Sequence, residues 1–143
     1  MIKLADFPKH IDSLKNEDWL KLFKLLDEIN ASKDFGQFKK LEILPDGSSQ
    51  FPHYNWSHVV IRFVDVVYEL GIIVTFDWPD WAAGKAMLAN PNTRYEGLGV
   101  VTLCKLLTVI VRSDRFIDGT LVGCFEAGIM QKIILGLKKG IAQ

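Results

Sequence analysis

The sequence predicts a mainly α fold: a single-domain helical bundle with two enclosed central helices and a small loop or hairpin insertion near 38–54. Three observations lead there. Apolar residues recur at helical spacing along most of the chain. The stretches 59–70 and 100–112 are apolar around nearly their whole circumference. The strand-and-helix alternation of a parallel-sheet fold is absent. At 143 residues the chain suits one helical domain, 1–143, able to bury roughly 70% of the surface its unfolded form exposes.

Taken in order, Pro8 stands where helices begin, giving a short turn over 9–14. Asn16 reads as a cap, and Glu17 and Asp18 suit the positive end of a helix dipole. Trp19, Leu22, Phe23, Leu26 and Ile29 then form one amphipathic stripe. Helical period is lost over 35–55, where Pro45-Asp46-Gly47 and two serines mark a turn between short segments at 38–44 and 50–54. Ser57 is the expected cap of the first enclosed helix, in which only Arg62, Asp65 and Glu69 interrupt the apolar residues, on one narrow stripe. Gly71 ends it, and an extended segment follows at 72–76. Pro79 opens a short helix over 80–89, closed by Asn90-Pro91. Beyond a polar loop, the second enclosed helix carries Thr102, Lys105, Thr108 and Arg112 as its single polar stripe. A corner at 114–119 then leads into two helical pieces, 120–127 and 129–139, split by Gly128.

Seventeen basic and seventeen acidic residues give a formal net charge of zero, so no general field draws the chain to nucleic acid, and none is expected to bind. The segment 120–139 has a helix-turn-helix outline, yet Met130, Gln131, Lys132, Leu135 and Gly136 offer little base-reading chemistry. An apolar share of 49% argues against disorder and for more apolar surface than a small monomer easily hides. The longest apolar run, 98–111, contains Lys105 and is too short for a bilayer, so no membrane partner is expected. Cys104 and Cys124 lie in apolar runs and read as reduced core thiols. With no secretory leader pattern at the start, the expected compartment is the cytoplasm. Phosphate loops, dinucleotide fingerprints, nucleophile elbows and Cys-x-x-Cys pairs are missing, so neither cofactor nor metal is expected.

Two clusters are candidates for a ligand or partner site. Arg112, Asp114, Arg115 and Asp118 crowd four charges beside Phe116 and Ile117, which suits an arginine fork for a carboxylate or phosphate. The preferred reading is structural: Asp118 caps the helix beginning near Thr120, Asp114 caps the turn, and the arginines serve helix ends or these acids. Asp77, Trp78 and Trp81, with Asp80, have the composition of a small-ligand platform. Here too a helix lock is preferred, with the acids satisfying first-turn amides and the tryptophans wedged against the enclosed helix. His53 and His58, with Tyr54, Asn55 and Trp56 between them, lack metal-ligand spacing, and His10 stands alone.

The strings Tyr68-Glu69-Leu70-Gly71 and Phe76-Asp77-Trp78 carry a resemblance. So, above all, does Leu106-Leu107-Thr108-Val109-Ile110-Val111-Arg112-Ser113-Asp114-Arg115-Phe116 with Asp118-Gly119, running on through Phe125-Glu126 and Gly128. Over about 57–138 the chain resembles an uncharacterised bacterial family, domain of unknown function 6508. The resemblance implies a small, mostly helical bacterial domain, often found alone, and implies no activity.

No catalytic residue is singled out. The expected role is a non-enzymatic binding or protein-interaction module. The alternative is a small-ligand binder or enzyme with a pocket between Trp78/Trp81 and the 112–118 corner. A homodimer is expected because the terminal segment shows apolar residues on two faces. Leu121, Phe125, Ile129 and Ile133 line one, and Val122, Met130, Ile134, Leu137 and Ile141 the other. Arg112, in register with Lys105 and Thr108, is expected to be at least half buried, and Arg115 more exposed.

Overall fold

The computed structural model describes residues 2–142 and has the expected mainly α architecture. Among these residues the helices are α1 (Phe7–Ser13), α2 (Asn16–Ala31), α3 (His58–Glu69), α4 (Ala82–Ala89), α5 (Val100–Ser113), α6 (Thr120–Glu126) and α7 (Ile129–Ile141). The short strands are β1 (Ile2–Lys3), β2 (Gly36–Lys39), β3 (Glu42–Ile43), β4 (Ser49–Gln50), β5 (His53–Trp56) and β6 (Val74–Thr75). β1 runs parallel to β6, with Ile2 opposite Val74.

Helix α5 is the enclosed centre. Leu103, Cys104 and the unbroken row 106–111 are buried, and α1, α4, α6 and α7 pack around them. Its polar stripe is largely covered, with Thr108 buried and Thr102, Lys105 and Arg112 half-buried. The Thr108 hydroxyl donates to the Cys104 carbonyl at 2.9 Å and accepts the Val74 N–H at 3.0 Å, so a buried hydroxyl is satisfied while it docks β6. The Lys105 ammonium lies 4.2 Å from the Trp81 ring centroid and 5.0 Å from that of Phe76, a cation over two aromatic rings.

Helix α3 departs from expectation. It buries only Val59, Val60, Phe63 and Val67, and leaves Ile61 and Tyr68 42% and 41% exposed. It lies against α2, bracketed by the ion pairs Arg62–Glu28 and Lys21–Glu69. A side that carries Arg62, Asp65 and Glu69 must reach water, and its apolar neighbours go with it. The bundle therefore has one enclosed helix, not two.

Several helix ends also differ from the sequence reading. Ser57 occupies the cap position of α3, but its hydroxyl finds no hydrogen-bond partner. At α2 the cap position falls to Lys15, whose N–H donates to the Asp18 carboxylate at 2.9 Å. The far end of α3 is closed by His10, with Nε2 2.8 Å from the Leu70 carbonyl oxygen. The helix expected over 80–89 splits into a 3-10 turn, Trp78–Asp80, containing Pro79, and then α4.

The two apolar faces of the terminal segment do not need a second chain. Leu121, Val122, Phe125, Met130, Ile133, Ile134 and Leu137 are buried, and Ile129 and Ile141 are partly buried against the core, because α7 packs against α2 and α5 at once. That argument for a homodimer fails. No single helix among the described residues is long and apolar enough to cross a membrane.

The expected insertion is a longer hairpin arm than the sequence marked. β2 pairs antiparallel with β5 and β3 with β4, in one register from Gly36 opposite Trp56 to Ile43 opposite Ser49. The ladder breaks where Lys40 and Leu41 face Phe51 and Pro52, since proline has no N–H to donate. The tip is a three-residue loop, Pro45-Asp46-Gly47, with Gly47 in the left-handed region at φ +85°. Asp46 Oδ1 accepts from the Ser48 N–H at 2.9 Å and the Ser48 hydroxyl at 2.6 Å, which holds its carboxyl below the usual range. Residues 37–49 and 51–52 are exposed throughout, so the arm stands off the helical body.

Candidate functional site

The corner after α5 is the root of the arm. Asp114 Oδ1 accepts the Leu121 N–H at 3.0 Å, satisfying an amide in the first turn of α6. Asp118 Oδ2 accepts the Tyr54 N–H at 3.0 Å, fastening β5. The acids thus serve backbone amides, with their expected roles redistributed: Asp114 acts on the helix and Asp118 on the arm. The Tyr54 ring lies on Gly119, where a Cβ would come within 2.6 Å of Cε2, and Gly119 holds φ +94°. Both facts call for glycine there. Phe38 extends the contact, its ring centroid 5.3 Å from that of Tyr54.

Trp78 joins the two candidate segments. Its ring centroid is 6.0 Å from that of Phe116, so these rings occupy the interval in which the sequence allowed a pocket. Trp81 goes elsewhere. It packs edge-on to Phe76 at 5.7 Å, takes Lys105 over its face, and lies so close to α4 that a Cβ at Gly84 would sit 2.2 Å from its Cε3. Trp81 locks this segment to the bundle, whereas Trp78 meets the exposed Phe116 rather than the enclosed helix, and Asp77 and Asp80 make no side-chain cap to the turn or to α4. Instead the two carboxyls adjoin. A hydrogen bond with Asp80, and then its charge, hold the Asp77 carboxyl above the usual carboxylate range.

The two arginines differ in the expected direction: Arg112 is partly buried and engaged, Arg115 is exposed. The cluster at 53–58 is divided between arm and helix. His53 places Nδ1 2.8 Å from the Phe51 carbonyl oxygen and Nε2 3.0 Å from Asn55 Oδ1, while His58 is exposed at the start of α3. Among the described residues no group of three or more His, Cys, Asp or Glu could hold a metal ion. Burial pushes the Cys104 thiol up. Burial, and then the Asp114 carboxylate, push Cys124 up to about 11, so neither supplies a thiolate near neutral pH.

On the water side, large apolar residues stand among the charged ones. Phe116 and Ile117 at the corner are 78% and 69% exposed, and Phe51 and Ile43 on the arm 79% and 78%. Phe38 and Leu41 are exposed as well. Periodicity could not flag these residues, because they lie in the stretches where helical period is lost. The only available signal was a bulky apolar residue inside a turn-rich segment. Asp114 and Asp118 are engaged by backbone amides, and both thiols stay protonated near neutral pH. A family model described as a family of unknown function, DUF6508, matches residues 14–143. Neither a curated protein nor a solved structure matches the chain.

Proposed function

The chain belongs to the DUF6508 family, and from that premise we propose that it is a protein-interaction module whose contact face is the arm together with the corner at its root. One observation carries the reading. Phe51, Ile43, Phe116 and Ile117 stand in water on a backbone fastened by Asp118, Tyr54 and Gly119, while residues of the same types fill the core. Large apolar side chains exposed in patches on an anchored backbone are the usual anchors of protein contacts. The compartment proposed is a bacterial cytoplasm, which the free thiols Cys104 and Cys124 support. Nucleic acid is not the proposed partner, given zero net charge.

The test compares tagged wild-type chain with a Phe51→Glu/Phe116→Glu double variant of matched melting temperature. Both are used to recover bound protein, untagged copies of the chain included, from the producing cells. The expected result is a protein retained by the wild type and reduced at least about tenfold by the double variant. Equal recovery by both rejects the reading.

A further inference from the structure

We infer that the arm and corner bind a second copy of this chain, the outer half of each arm seating on the partner's corner. This rests on the reading of arm and corner as a contact face and names its occupant. The register puts Leu41 opposite Phe51, with Ile43 two residues further out and therefore on the same face of the ribbon. These three make one apolar patch at the outer half of the arm. Phe116 and Ile117, beside Trp78, make another at its root.

A single chain cannot bring the two patches together. The root is held by the Tyr54 N–H on Asp118 and by the Tyr54 ring on Gly119. From Phe38, paired with Tyr54, to Ile43 the ribbon keeps one register on both sides of the break at Pro52 and advances by about 17 Å away from its root. A two-fold axis removes the mismatch. Two arms running past one another put each tip patch on the other chain's corner, with the same root-to-tip distance used twice.

The area agrees. At the sizes usual for aromatic and branched aliphatic side chains, the exposed parts of Leu41, Ile43, Phe51, Phe116 and Ile117 come to on the order of 700 Å² per chain. A standard interface takes about 800 Å² from each partner. Zero net charge puts no long-range repulsion between copies.

The experiment is light scattering on the eluted full chain at micromolar concentration, with circular dichroism as the control for folding. The wild type is expected at twice 16.2 kDa, and Phe51→Glu and Phe116→Glu each at the single-chain mass with unchanged helical signal. Chains carrying Ile43→Cys and Phe116→Cys, both in a Cys124→Ser background, are then mixed and oxidised. A covalent pair containing one of each is expected, and neither chain alone should cross-link. Three outcomes overturn the inference: a monomeric wild type, a dimer that survives both glutamate variants, or a dimer in which the mixed cross-link fails. A monomeric wild type whose double variant still loses another protein removes only the second copy as occupant. A monomer for which the substitutions change nothing removes the contact face as well.

Discussion

In α5 the residues 106–111 are buried without a break. In α3, also rich in β-branched residues and with a polar stripe at similar spacing, Ile61 and Tyr68 stand in water. The difference lies in which polar residues interrupt the apolar ones. Thr108 closes its hydrogen bonds within its own helix and onto β6, and Lys105 spends its charge on the faces of Trp81 and Phe76. Both can be covered. Arg62, Asp65 and Glu69 carry charges whose desolvation would cost several kcal/mol each if left unpaired, so they hold α3 at the surface. The comparison teaches that apolar density marks a helix as able to enter a core, while the chemistry of its few polar residues decides whether it is covered on every side.

The largest expected effect tests that directly. Leu107→Ala in α5, at a fully buried position, should lose about 2 to 5 kcal/mol in urea or thermal unfolding, and Ile61→Ala in α3 less than about 1. Similar losses at both positions would erase the distinction. Next, at the last turn of α5, Arg112→Ala should lose about 2 to 3 kcal/mol, because it strips a partly buried, engaged charge from its surroundings. Arg115→Ala should stay within about 0.5. Matched thermal melts decide it, and two negligible losses would shift the corner from scaffold toward a ligand-binding fork.

Thr108→Val sharpens the same comparison. It preserves shape but strands the buried Val74 N–H, for a loss of about 1 to 3 kcal/mol, whereas Asp65→Ala on the open side of α3 should change stability by about 0.5 or less. Hydrogen exchange at Val74 gives a second readout, with faster exchange expected in the valine variant.

The smallest effect concerns the acid pair beside the cover of α5. The folded state holds the proton of Asp77 more tightly than the unfolded chain does, since its carboxyl is raised by Asp80. The fold is therefore favoured while Asp77 is protonated. That advantage is lost as pH rises from the ordinary carboxylate range through the raised value. Asp80→Asn should return Asp77 toward the ordinary range and flatten stability over that window. An NMR titration of the Asp77 carboxyl that did not move would show that Asp80 is not the cause.

The sequence by itself determined what local chemistry controls. The 3.6-residue period placed α2, α3, α5 and α7, Gly128 separated the last two helices, and Pro45-Asp46-Gly47 marked the hairpin tip, because each depends on residues a few positions apart. It also read the acids of the corner as structural and ranked Arg112 as more buried than Arg115, because a stripe position on a helix already implies its neighbours. Only the tertiary structure decided which apolar faces are covered. Most of both faces of 121–141 is buried because α2, about a hundred residues away in the chain, packs on α7 together with α5, and no local pattern reports that. The same holds for Asp118 reaching Tyr54, for His10 closing α3, and for Trp78 meeting Phe116 where the alternative reading placed a pocket. Phe116, Ile117 and the arm residues lie in segments without period, so their composition was legible and their facing was not. Burial is a relation between distant elements, and periodicity records only what a face is made of.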